Sequence, residues 1–351
     1  MKKFFILIFA AVLIFSLAAC GKTSNNSETT KDDSTDSEGF ETIEITFSHN
    51  QPIESPEHAG AAKFKEVVEE KTGGKVTVNI FPASQLGSLR EQVEGTQIGE
   101  IDITMQPTAV VSPFVDDVKV VDLPYLWPAD KDQTYKVLDG EVGKELLGTL
   151  DKGGFKGLGY WPGGFKLFTT GKKEIHKPED FKGLTMRVME SPLLIEQYKN
   201  WGGNAIPVPY SEVYNSLQQG VVDGQENPLQ TIFLNNYHEV QKNIVESYHG
   251  TMTYLLMANK GWYDGISEQL KKVIAEAEIE GHNAARKKLA DVEDDYRQKI
   301  IDSGANYYKL TDDEIEAFRQ ASLPMHKEVY NTPDQLKLLD KLYDAIEESK
   351  K

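Results

Sequence analysis

Residues 183–227 read GLTMRVMESPLLIEQYKNWGGNAIPVPYSEVYNSLQQGVVDGQEN, and the fold follows from how this stretch divides. Leu184, Met186 and Val188 alternate with Thr185, Arg187 and Met189, the period of a half-buried strand. Arg187 therefore points away from the strand's apolar side. A permanently charged guanidinium near a strand end can clamp a carboxylate with two parallel hydrogen bonds. Leu194, Tyr198 and Trp201 carry a helical period closed by Gly202-Gly203. Residues 205–209 form a short extended piece. Ser211 is placed to cap a helix through Val213, Tyr214 and Leu217, which Gly220 stops. Val221-Val222 begins a further strand and Asp223-Gly224 turns it. Gln225, Glu226 and Asn227 follow, and Pro228 fixes the exit.

Upstream, Ile43, Ile45 and Phe47 alternate in a strand ending at His49-Asn50. Ser55 with Pro56 starts a helix that Gly73-Gly74 ends. Val76, Val78 and Ile80 make a second strand, residues 90–98 a helix, and Ile101, Ile103 and Met105 a third strand. This order predicts an α/β lobe with a largely parallel sheet. Ligands sit beyond the carboxyl ends of such strands, which makes Asn50 and Gln106 candidate ligand contacts. His49 and His58 have no third metal ligand spaced near them, so no metal site is expected.

Residues 131–152 read as one helix and 157–160 as a strand. Trp161-Pro162-Gly163-Gly164 is either a crossing between lobes, since glycine permits hinge dihedrals, or a plain surface loop. Residues 267–301 carry one long helical pattern, with a break near Gly281 as the alternative. Thr311 with Glu314 forms a capping box, and Thr332-Pro333 opens the last helix.

Three phrases, DFKGLTMRV, PVPYSEVYNSLQQG and VVDGQENP, occur in this order within about fifty residues. On them the chain resembles the solute-binding proteins of tripartite ATP-independent periplasmic (TRAP) transporters, which import organic acids; a weaker resemblance extends from residue 43 to the C-terminus. The resemblance implies a two-lobed periplasmic-binding-protein-like α/β fold, with a long helix bracing both lobes and the apolar segment 122–128 packed beneath the cleft. It implies hinge closure on a small carboxylate and delivery to a membrane permease driven by an ion gradient. It puts Arg187 in the cleft, a structural salt bridge to a carboxylate such as Glu190 or Glu226 being the plain alternative. It places Lys166 where the family commonly holds an arginine or other polar ligand-facing group, although a solvated surface lysine is the plain alternative. Phe168 reads as core by residue type and enters the site only through the resemblance. Asn227 and Tyr210 complete the expected ligand-binding set. A C4-dicarboxylate, a sugar acid and a keto acid all fit one arginine plus polar groups.

Lys2 and Lys3 precede the apolar run 4–17, and Leu17-Ala18-Ala19-Cys20 reads as a lipobox. Residues 1–19 are thus expected to be a lipoprotein signal peptide and Cys20, the only cysteine, the lipidation site. Residues 20–40 lack the apolar content to order themselves and form a tether. Lobe I is assigned to 41–163 plus 253–292, and lobe II to 164–252 plus 293–351. The formal charge of −17 becomes −19 when Lys2 and Lys3 leave with the signal segment. Such acidity argues against nucleic acid and demands a local basic site for an anionic ligand. No nucleophile elbow, HExxH, Walker or dinucleotide motif occurs. The expectation is a non-enzymatic, extracytoplasmic, lipid-anchored monomer without cofactor or metal. A ligand-sensing lipoprotein serving a signalling partner and a secreted hydrolase are the competing classes.

Overall fold

The first alternating run forms β1 (Ile43–His49), and Ser55 caps α1 (Pro56–Lys71) by accepting a hydrogen bond from the His58 amide. The computed structural model describes residues 39–351; the signal segment, Cys20 and all but the end of the tether lie outside the described residues. Next come β2 (Val76–Phe81), α2 (Leu89–Ile98), β3 (Ile103–Pro107) and the short α3 (Thr108–Val111). Ser88 and Glu91 cap α2 reciprocally. The helix expected over 131–152 is divided into α4 (Lys131–Leu138) and α5 (Glu141–Gly148), because Asp139-Gly140 interrupts it and Gly140 opens the second piece.

The chain continues through β4 (Phe155–Thr170), β5 (Thr185–Val188), α6 (Pro192–Asn200), β6 (Asn204–Pro207), α7 (Val213–Gln218) and β7 (Gly224–Pro228). Then follow α8 (Leu229–Leu234), α9 (Tyr237–Val240), β8 (Asn243–Glu246), β9 (Thr251–Asn259) and α10 (Lys260–Gly265). The last elements are α11 (Glu268–Asp302), β10 (Asn306–Lys309), α12 (Asp312–Val329) and α13 (Pro333–Ser349). Two boundaries within 183–227 differ from expectation. Ser211 lies inside a 3-10 turn that runs into α7 with no side-chain cap. Val221-Val222 are bends, and the strand starts at Gly224. There the Thr185 amide donates to Asp223 Oδ2 at 2.8 Å, and a Cβ on Gly224 would lie 2.2 Å from the Thr169 carbonyl oxygen.

The strands run β2-β1-β3-β9-β4-β7-β5-β6, with β8 pairing to β4 and β10 to β8. β1 is parallel to both neighbours, but β9 is antiparallel to β3 and to β4, so the first lobe's sheet is mixed rather than largely parallel. β4 joins the two halves. Its residues from Phe155 to Phe165 pair with β9, and those from Lys166 to Thr170 pair with β7 and β8. The change of partner falls at the Trp161-Pro162-Gly163-Gly164 run, where the register shifts and Gly164 adopts φ +90°. The crossing is thus a bulged strand and not a surface loop.

α11 is continuous through Gly281, and its 35 residues span roughly 50 Å. It packs against α1 in one lobe, α8 in the other, and β4 between them. The last helix, α13, packs on α4 and α5. The second lobe's sheet carries an apolar cluster on each side, one with Phe168, Met186 and Val188, the other with Leu167, Val208 and Val213.

Candidate ligand-binding site

Strand register decides which candidate side chains share a face. β4 and β7 set Leu167 opposite Asn227 and Phe168 opposite Glu226, and β5 and β7 set Arg187 beside Gln225. Side chains alternate across a strand. Arg187, Gln225 and Asn227 therefore share one face, while Lys166, Phe168 and Glu226 share the other. The set expected from sequence is divided by the sheet.

Arg187 is 2 % exposed. Its Nε and Nη2 donate to the Val208 carbonyl at 3.0 and 2.8 Å, and among the described residues it forms no ion pair. Burial pulls its pKa down, opposed by nearby phenols and by the carboxylates of Glu226 and Glu190. The side chain lines a narrow pocket of about 20 Å³ with Ser88, Arg90, Glu190, Val208 and Tyr210. Ser88 and Arg90 come from the start of α2 and the others from the second lobe, so both lobes wall it. Arg90 is held by Glu94 at 2.9 Å.

Tyr210 donates to Gln51 Oε1 at 3.2 Å and accepts from Asn235 Nδ2 at 2.8 Å; Gln51 Nε2 donates to the Tyr254 hydroxyl at 2.7 Å. This chain of bonds ties the loop after β1 to the second lobe. Asn50 is buried in the same loop, with its Oδ1 unpartnered. Asn227 is buried and donates to Gln225 Oε1. Gln106 does not lie past a strand end. It sits within β3, fully buried, and donates to Gln92 and Thr104 at 2.9 Å each, which leaves only its Oε1 unpartnered.

Lys166 is neither a solvated lysine nor a free cation. It is fully buried and pairs with Glu226 Oε1 at 2.7 Å. Glu226 Oε2 accepts from Gln197, from the Tyr198 hydroxyl (2.9 Å each) and from His249 Nε2 (3.1 Å). Burial alone would raise the Glu226 pKa, but the Lys166 charge and the His249 contact hold it well below the usual carboxylate range. Burial lowers the His249 pKa, so the neutral ring donates from Nε2 while Nδ1 accepts from the Ser247 hydroxyl at 2.7 Å. Asp122 lies close enough to sense Lys166, and burial pushes its pKa up to about 6. Phe168 is core, as its residue type suggests, and not the ligand contact that the resemblance implied: it is fully buried, stacks on His249 at 4.0 Å, and meets Phe181 and Trp201 edge-on. His49 and His58 touch each other, Nε2 to Nδ1, at 3.1 Å.

Sequence reasoning missed Gln51, Ser88, Arg90 and the acceptor role of Glu226. Ser88 and Arg90 carried a partial signal, since the spacing of Ser88 and Glu91 marks a helix start there; Gln51 and the bonds of Glu226 carried none without their distant partners.

The model of the bacterial extracellular solute-binding protein family 7 (DctP) matches residues 47–332. The chain belongs to this family. Across 291 residues it is 35 % identical to the C4-dicarboxylate-binding periplasmic protein DctP of Rhodobacter capsulatus, covering 82 % of this chain and 87 % of that one. A TRAP periplasmic solute-binding protein from Desulfovibrio salexigens, solved with bound orotic acid, superposes with TM-score 0.83 at 35 % identity, covering 86 % and 99 % of the two chains. The sugar acid binding protein DctPAm of Advenella mimigardefordensis, solved with galactonate, superposes with TM-score 0.83 at 30 % identity, covering 88 % and 99 %. This solute-binding protein thus has the two-lobed fold of its TRAP relatives, and its relatives are binding proteins rather than enzymes. Among the described residues no helix is long and apolar enough to cross a membrane.

Proposed function

We propose that this protein is the extracytoplasmic component of a TRAP transporter that captures a small organic acid between its lobes and presents it to a membrane permease. The observation that carries the reading is Arg187: a guanidinium 2 % exposed, anchored by one edge to the Val208 carbonyl, without a carboxylate partner, and lining a pocket walled by both lobes. A buried cation without a counter-ion is costly, and a ligand carboxylate is the natural complement. Asn227 shares the Arg187 face and Tyr210 walls the pocket. Asn50, with its unpartnered oxygen in the loop that meets Tyr210, bonds the ligand's polar groups. Gln106 and Lys166 are left in support, the one bonded to Gln92 and Thr104 and the other to Glu226. Lobe I comprises 41–163 and 253–292 together with α13, and the remainder forms lobe II. No cofactor or metal takes part, and the protein works as a monomer.

Calorimetry with succinate, orotate, galactonate and glucuronate tests the reading. At least one of these acids should bind, and Arg187→Ala should weaken it by about 2–5 kcal/mol, roughly thirty-fold to several-thousand-fold. Failure of every acid to bind, or an unaltered affinity in the variant, overturns it. The anchor is tested separately. Cys20→Ala should abolish lipid attachment, read as loss of the diacylglycerol mass and of detergent partitioning; a variant that keeps both places the anchor elsewhere.

A further inference from the structure

We infer that Glu190 makes this site selective for a hydroxylated monocarboxylate of the sugar-acid type over a C4-dicarboxylate. The inference rests on the reading that Arg187 holds a ligand carboxylate. Glu190 lies two residues past the end of β5, is half-buried, and lines the same pocket as Arg187. Arg187 spends its Nε and Nη2 on the Val208 carbonyl, so it offers its remaining donors to a single anionic group. Glu190 itself makes no hydrogen bond and no ion pair to any described residue. A carboxylate so placed offers about four lone-pair sites and no donor.

The charges around the pocket decide what completes it. Arg90 is the other cation on the wall, and it is already paired with Glu94 at 2.9 Å, its guanidinium resting over the Phe114 ring. Lys166 is on the opposite face of the sheet and committed to Glu226. Arg187 and Glu190 therefore remain as one positive and one negative group, and no uncommitted cation is left for a second carboxylate. A dianion would set its distal carboxylate against the half-buried Glu190, where salt screens less than in open water. It would do so on a chain whose net charge is already −17. A chain of hydroxyls supplies the donors that Glu190 lacks.

The test is calorimetric titration of the wild type, Glu190→Gln and Glu190→Ala with D-galactonate and with succinate. Wild type is expected to bind galactonate at least ten-fold more tightly than succinate. Glu190→Gln should cut that ratio at least ten-fold, with succinate gaining affinity and galactonate losing it, and Glu190→Ala should shift it the same way. Both variants should still fold and melt cooperatively in the absence of ligand, with only a small fall from wild type, because Glu190 makes no hydrogen bond or ion pair to any described residue and touches Arg187 through charge alone. A wild type that prefers succinate, or a ratio unchanged in both variants, overturns the inference while leaving acid capture by Arg187 standing. Failure of the wild type to bind either acid, or any acid of the wider panel, overturns both.

Discussion

Lys166 shows how one residue changes meaning with its surroundings. On the sequence it is a second cation for an acidic ligand; in the fold it is the counter-ion of a carboxylate that accepts from four side chains. Removing one member of a buried pair leaves the other uncompensated. Lys166→Met is therefore expected to cost about 3–5 kcal/mol in urea denaturation, where a surface lysine would cost almost nothing. The double variant Lys166→Met with Glu226→Gln should regain much of that loss, because no lone buried charge remains. A single variant as stable as wild type would return Lys166 to solvent. Arg187 differs because its charge has no counter-ion in the protein. Its two bonds to the Val208 carbonyl mean that Arg187→Ala removes a tether as well as a ligand contact, so a modest fall in the ligand-free melting temperature should accompany the loss of affinity.

At the scale of elements, α11 depends on a residue that works against its own helix. Gly281 sits mid-helix, where alanine would add about 1 kcal/mol of helix propensity. Yet a Cβ there would lie 2.7 Å from Trp161 Cζ2 and 3.1 Å from the Gly60 carbonyl oxygen. Trp161 is 1 % exposed and packs on Phe47 at 6.1 Å, so it has little room to yield. Overpacking of this kind costs about 1–3 kcal/mol, which outweighs the propensity gain. Gly281→Ala should lower the melting temperature, and Gly281→Val should lower it further. A stabilised alanine variant would mean that α1 and α11 can separate without penalty. The close approach of Gly60, Trp161 and Gly281 is what allows one long helix to lie against α1 and still reach α8.

At the scale of the molecule, the loops and helices around the crossing of β4 hold a buried carboxyl group. Glu57, in the first turn of α1, is fully buried; Gln230 of α8 reaches it at 3.4 Å and also donates to the Gly163 carbonyl in the crossing itself. Burial raises the Glu57 pKa from 4.5 to about 7. The sign follows from linkage. Below about pH 4.5 the group is protonated in both folded and unfolded chains and burial carries no ionic cost. Between 4.5 and 7 the unfolded chain ionises first, so stability falls, and above about 7 the full cost is present. The shift corresponds to about 3 kcal/mol. Glu57→Gln should therefore raise the melting temperature at pH 8 and leave it nearly unchanged at pH 4.5. An equal effect at both values would show that Glu57 is ionised throughout.

The sequence by itself determined the elements whose causes are local. Alternation at Leu184, Met186 and Val188 made a strand, Ser55-Pro56 and Thr332-Pro333 opened helices, Thr311 with Glu314 closed a capping box, and Gly202 and Gly220 ended their helices. Each rests on contacts within about four residues, where side-chain period and backbone donors leave few alternatives. The same local period turned Arg187 away from the apolar side, and the three phrases around it named the family. Tertiary structure alone decided the rest. Lys166 found Glu226 sixty residues away, Phe168 was drawn into an aromatic core by Phe181, Trp201 and His249, and Trp161-Pro162-Gly163-Gly164 became a strand because β9 was there to pair with it. A buried charge takes the partner that removes it from isolation, and a strand extends as far as it has neighbours to bond. Neither partner is written within reach of the residue it satisfies.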